Sequence, residues 1–199
     1  MPNRGSEAEG DADRADMACL LADQHAALER IIERHGVSLH AYLIRWVRDA
    51  EDARDLALET FVRLHSHRAR FDPRRPLATW LYSIATNLAR DRLRWRQRHP
   101  QTSLQDPAPH DGPSLESTLP DPRSDPSHAL LGEERSAAVR GAIGALPEDL
   151  RTVILLSEFE NQGNAEIASI LQCSVKAVEM RLYRARQALR KHLAFWILK

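Results

Sequence analysis

Cysteine is nearly missing from this chain. Cys19 and Cys173 stand far apart, so there is neither a disulfide framework nor a C-x-x-C site, and such sparing use suits a reducing compartment. Long apolar runs are missing as well, with nothing near the roughly 18 residues of a membrane span. The first 17 residues are polar and acidic rather than leader-like, which points to a cytoplasmic protein without membrane insertion. The phosphate-binding patterns G-x-x-x-x-G-K-S/T and G-x-G-x-x-G do not occur, and no Ser, Cys or Thr stands in a nucleophile context. An enzyme, a set of catalytic residues and a nucleotide cofactor therefore have no support. The nine histidines suggest no metal site, since His65 and His67 lack helical spacing and a nearby cysteine, and His35 and His40 are five apart. No cofactor is expected.

Net charge is absent too, but only in the sum. Five arginines face Asp91 between positions 90 and 98, and seven Lys or Arg face Glu179 between 176 and 199, whereas 101–125 holds five acids against Arg123. Segregation of this kind leaves a nucleic-acid partner open.

What is present is helical periodicity. Residues 1–16 lack large apolar side chains and are expected to form a disordered tail. From Asp23 to Val47, Leu28, Ile31, Ile32, Leu39, Tyr42, Leu43 and Trp46 recur at helical spacing, with Gly36 an expected break or kink. Between Arg48 and Phe61 a further helix points Ala53, Leu56, Ala57, Thr60 and Leu64 one way and sets Glu51, Asp55 and Glu59 at i, i+4, i+8 on another face. Such a stripe is often plain solubilising charge. Like charges every turn nevertheless repel by a few tenths of a kcal/mol per pair, which a basic partner surface would relieve. Residues 71–78, with two prolines and two arginines, read as a loop. The helix after it buries Leu77, Leu81, Ile84, Ala85 and Leu88 and carries Trp80, Asn87, Asp91 and arginines elsewhere. An exposed ring beside cations suits single-stranded nucleic acid, although Trp80 could equally be core.

Prolines and acids dominate 99–128, the composition of an extended linker covering roughly 3 Å per residue. A helix from about Ala129 to Ala145 follows, then one opening at Pro147 with two acids in its first turn and Val153, Ile154, Leu155, Leu156 and Phe159 mostly buried. Asn164 to Leu171 forms a short helix with Asn164 as a good cap residue and Ile167, Ala168 and Leu171 on one face. Gln172 and Cys173 break it, and Ser174 can cap a second helix whose Val175, Val178, Leu182, Ala185 and Leu189 form a buried stripe. The opposite face shows Lys176, Arg181, Arg184, Arg186, Arg190 and Lys191. A short helix, a tight turn and a long basic helix match the helix-turn-helix, whose second helix enters the DNA major groove. The fold expected is all-α, two small helical domains joined by a flexible linker, the C-terminal one containing the helix-turn-helix.

Four stretches in register carry a resemblance: Asp-Ala-Arg-Asp-Leu-Ala-Leu-Glu-Thr-Phe at 52–61, Leu-Ala-Thr-Trp-Leu-Tyr-Ser-Ile-Ala-Thr-Asn-Leu-Ala-Arg-Asp at 77–91, Leu-Pro-Glu-Asp-Leu-Arg at 146–151, and the helix-turn-helix at 164–186. Together they resemble the extracytoplasmic-function (ECF) sigma factors of bacterial RNA polymerase. The resemblance implies a sigma-two-like domain over 17–98, the linker over 99–128 and a sigma-four-like domain over 129–199. It places Asp52, Asp55, Glu59 and Phe61 against the β′ clamp helices of core RNA polymerase, with the β subunit also engaged, and puts Leu58 where the family usually has glutamine. The 71–77 loop, with Arg74 and Arg75, matches the loop that captures a flipped base of the −10 element. Trp80, Asn87, Arg90, Arg92 and Arg94 match the surface holding the melted strand and its backbone. Lys176, Glu179, Met180, Arg181, Tyr183 and Arg184 fall where the recognition helix meets the −35 element. Glu179, where relatives are often basic, could accept a hydrogen bond from a cytosine amino group or simply pair with a neighbouring cation. The resemblance also implies promoter DNA and an anti-sigma factor as partners, and a monomer when free. A free-standing DNA-binding regulator, dimeric and independent of polymerase, is the alternative.

Overall fold

The structure is a computed structural model that describes the backbone of residues 4–99 and 126–194, with side chains over 8–99 and 134–194. Four helices make the N-terminal unit: α1 (Arg4–Leu21), α2 (Ala26–Val47), α3 (Ala50–Ser66) and α4 (Leu77–Arg98), with a 3-10 turn (Arg68–Arg70) after α3. Four more make the C-terminal unit: α5 (Pro126–Gly144), α6 (Glu148–Ile154), α7 (Asn164–Leu171) and α8 (Val175–His192). The described residues are helical throughout, with no strand among them.

The N-terminal core forms where apolar stripes meet. Ala27, Ile31, Leu39, Tyr42, Leu43 and Trp46 of α2 pack against Ala53, Leu56, Ala57, Phe61 and Leu64 of α3 and Leu77, Leu81, Ala85, Leu88 and Ala89 of α4. Each fully buried large side chain contributes about 1.5–3 kcal/mol. Arg48 ends α2 in the left-handed conformation (φ 60°), its N–H returning to the Ile44 carbonyl, and Asp49 then caps α3 by accepting from the Asp52 N–H at 2.9 Å.

The expected tail over 1–16 is instead helical from Arg4 onward. Met17 and Leu20 bury at its C-terminal end, and two nearly buried carboxylates fix the turns before them. Asp13 meets Arg34 (2.5 Å) and His35 (2.8 Å), and Asp16 meets Arg30 (2.7 Å) and Arg34 (2.8 Å). Apolar counting misses a helix whose inward groups are acids matched by arginines from α2. Gly36 likewise does not break α2, which runs on unbroken through it.

In the C-terminal unit, α6 gives way at Leu155–Phe159 to a π-helical turn that leaves Phe159 38% exposed, not buried. Helix α7 is capped from Gly163, not Asn164: the Gly163 N–H donates to the Glu166 carboxylate at 2.5 Å. Gln172 closes α7 at φ 51°, and Ser174 starts α8 by accepting from the Ala177 N–H at 3.2 Å. Val178, Leu182 and Ala185 form the buried stripe; Val175 is exposed, Leu189 is half-buried, and Ile170 joins Ile167 and Ala168 inside. Of the linker expected over 99–128, His99 caps α4 and residues from Pro126 belong to α5; the rest lies outside the described residues.

Candidate nucleic-acid interface

The carboxylate stripe on α3 divides by burial. Asp55 and Glu51 are exposed and Glu59 is partly exposed, the last paired with Arg63 one turn on at 2.8 Å. Asp52 is 7% exposed and lies 2.6 Å from both Arg92 and Arg96 of α4, while Phe61 is a core residue at 5%. Asp52 and Phe61 therefore hold α3 in place rather than face outward. Leu58 (66% exposed) and Val62 (50%) stand between the outward acids, so that face is mixed, apolar and acidic.

On α4, Asn87 is exposed, and Trp80 is half-buried with the Phe71 ring tilted against it at 5.7 Å. The two readings of Trp80 merge: one part of the ring packs on the core and the rest borders the loop. Arg74 and Arg75 are exposed at that loop, where Asp72 accepts from the Arg74 N–H at 3.0 Å and shapes the turn. Among the described residues the Arg94 guanidinium meets only the Asp91 carboxylate, at 3.5 Å across open surface.

Several of these cations already have partners. The two units pack together, and α4 lies against α7. Arg90 donates to Glu148 at 2.8 Å and Arg75 donates to Ser169 at 3.1 Å, so two of the cations assigned to the −10 surface meet the C-terminal unit. Deeper in the seam, the Trp46 N–H donates to Thr152 at 3.1 Å and Arg151 donates to the Trp46 carbonyl at 3.2 Å. The π-helical turn delivers Phe159 and Glu160 to α2 and α4. Arg45 stacks over the Phe159 ring at 4.6 Å and lies 3.5 Å from the Glu160 carboxylate, which also accepts from the Tyr82 hydroxyl. Burial pushes the Glu160 carboxyl above its ordinary value, despite the opposing pull of Tyr82 and Arg45. Burial likewise holds the Tyr82 and Tyr42 hydroxyls protonated, Tyr42 bonded to Thr86 at 2.8 Å. Sequence periodicity gave no sign of Glu160, because its partners lie far back along the chain on other helices.

Helix α8 presents the outer face of the helix-turn-helix. Lys176, Glu179, Met180 (43%), Tyr183 (61%) and Arg184 are exposed together along it. Glu179 pairs with Lys176 at 3.4 Å, the neighbouring-cation alternative. Arg181 is different. It reaches Asp149 of α6 at 3.7 Å and the Cys173 sulfur at 3.6 Å, so it braces the recognition helix from the side.

Comparison with known proteins matches residues 31–99 to the family model for Sigma-70 region 2 and residues 136–189 to that for Sigma-70, region 4. The RNA polymerase sigma-H factor of Pseudomonas aeruginosa is 36% identical over 169 residues, covering 84% of this chain and 86% of that protein. The ECF RNA polymerase sigma factor SigW of Bacillus subtilis is 33% identical over 172 residues, covering 86% and 90%. The fold also matches the sigma factor RpoE of Bartonella quintana, solved with the anti-sigma factor NepR, at a TM-score of 0.66 and 21% identity, covering 83% of this chain and 96% of that one. With a region-2 match around α2–α4, a region-4 match around the helix-turn-helix and full-length relatives above 30% identity, the chain belongs to the ECF sigma factors of RNA polymerase.

Proposed function

We propose that this sigma factor, acting in the cytoplasm and catalysing nothing itself, docks on core RNA polymerase through the outward face of α3. Asp55 and Glu59 would meet basic clamp helices of β′, and Leu58 and Val62 would supply apolar contact between them. Asp52 and Phe61 act behind that face, as supports. The N-terminal domain (17–98) opens the −10 element through the Arg74–Arg75 loop and the Trp80–Asn87–Arg94 face, where captured bases offset an unpairing cost of a few kcal/mol each. The C-terminal domain (129–199) reads the −35 element through Lys176, Glu179, Met180, Tyr183 and Arg184. The observation that carries most weight is the continuous exposure of those side chains on a helix whose other face is locked into the core.

The packed arrangement of the two units adds a step. Arg90, mostly buried against Glu148, cannot grip promoter DNA while it holds that carboxylate, and Arg75 gives one of its donors to Ser169. Docking on polymerase therefore has to separate the units, and an anti-sigma factor, as in the RpoE–NepR complex, would hold the factor inactive.

Size-exclusion with core enzyme followed by runoff transcription tests the proposal. The protein should co-migrate with core and redirect initiation, and Asp55→Lys with Glu59→Lys should abolish both. A protein that ignores core but binds duplex DNA as a dimer would establish the free-standing regulator instead.

A further inference from the structure

At the joint between α2 and α3 stands an arginine in the left-handed conformation, Arg48 at φ 60°, where glycine or asparagine would be less strained. Its side chain is used far from the joint. Nη2 donates to the Arg140 carbonyl at 2.8 Å and to the Gly141 carbonyl at 3.4 Å, so a guanidinium of the N-terminal unit caps the last turn of α5. Gly144, the last residue of α5, is what lets it in. A Cβ at Gly144 would lie 1.1 Å from Nη2 and 1.5 Å from Cζ of Arg48, so any side chain there evicts the guanidinium. The Gly144 φ is not positive, and the backbone itself therefore does not call for glycine.

A second guanidinium reaches the same place from α6. Arg151 donates to the Trp46 carbonyl at 3.2 Å across the seam, and to the Gly144 and Leu146 carbonyls of its own unit at 2.9 and 3.1 Å. Burial and the nearby Arg48 charge both push Arg151 below the usual guanidinium range. Two cations thus meet the C-terminal ends of α2 and α5, held by carbonyl oxygens against their own repulsion. Attraction to the helix ends wins, but by less than for a lone arginine.

We propose that Arg48 is the latch of the free factor: seated on Gly144, it ties the end of α2 to the end of α5, and its withdrawal lets the units part. The assignment rests on the proposed function, in which core polymerase and promoter both need the parted form, and it adds the residue that sets how much of that form exists. While the closed form dominates, the apparent affinity for any ligand of the parted form scales with the fraction parted. Hydrogen bonds from a charged group at an exposed site set the size of the effect, so losing the latch should raise that fraction about ten-fold.

Gly144→Ala is the decisive variant, since it evicts Arg48 while keeping every charge and giving α5 a better helix former. In the full chain it should raise affinity for −10 single strand and for core polymerase by the same factor, about ten-fold. Arg48→Ala should do likewise, although it removes a cation and on electrostatics alone would weaken strand capture. The double variant should match either single one, because both act on one contact. Runoff transcription at saturating factor should be unchanged in all three, the latch being already open in holoenzyme. Either single variant behaving as wild type, or effects that add, overturns the inference. So does a gain for the strand without a matching gain for core, where the wild type binds both. A wild-type chain that forms no complex with core refutes the proposed function instead, and strand capture then still reads the latch.

Discussion

Single carboxyls decide how this molecule answers to pH, and they do so with opposite signs. Glu160 is raised above 4.5 by its burial between the units, so the packed form binds its proton more tightly than a separated form. Its contribution to packing is full below 4.5 and is lost as pH rises through the elevated value. Fluorescence transfer between labels on the two units should report tighter packing on mild acidification, and Glu160→Gln should remove that dependence. Asp16 behaves in reverse. Burial alone would raise it, but hydrogen bonds from Arg34 and Arg30 outweigh that and hold it below 3.8. Its stabilisation is present above 3.8 and fades as pH falls further. Asp16→Asn should loosen α1 and lower the urea midpoint, at a cost of about 1–3 kcal/mol, since it strands two part-buried guanidinium contacts. Glu179 offers a third test. If it reads a cytosine, Glu179→Gln changes preference at one base of the −35 element; a flat change across all single-base variants leaves it only its pairing with Lys176.

Helices α7 and α8 were the most legible part of the sequence, because the turn at Gln172, the Ser174 cap and a stripe at regular spacing are local signals; only the start of α7 was misplaced, at Asn164 rather than Gly163. Leu182→Ala in that stripe should cost about 2–5 kcal/mol and abolish −35 binding, whereas Ser174→Ala should cost about 1 kcal/mol and only fray the start of α8. Thermal unfolding beside promoter binding separates the two. Helix α1 was illegible before Met17 for the opposite reason, since the buried groups there are Asp13 and Asp16 and their meaning depends on arginines of another helix. The acidic stripe on α3 was half legible. Period alone set Asp55 and Glu59 outward, yet it could not show that Asp52 is claimed by Arg92 and Arg96. The π-helical turn left no trace in the apolar pattern, because Leu155 and Leu156 look the same in an ordinary helix.

Taken whole, the molecule is folded onto the surface proposed above for the −10 element, with Glu148 and Ser169 occupying Arg90 and Arg75. Glu148→Ala should relax the seam, and free protein carrying it should capture −10 single strand several-fold better than wild type at low salt, measured by anisotropy, with the advantage shrinking as salt screens both forms. An unchanged affinity would mean that the seam does not gate access. In the proposed function the one guanidinium of Arg90 serves both the resting molecule, where it holds Glu148, and the promoter. Neither use can be adjusted alone: a lineage that replaces it to quieten leaky transcription also surrenders grip on its genes, so change at this position is expected to travel with change at Glu148.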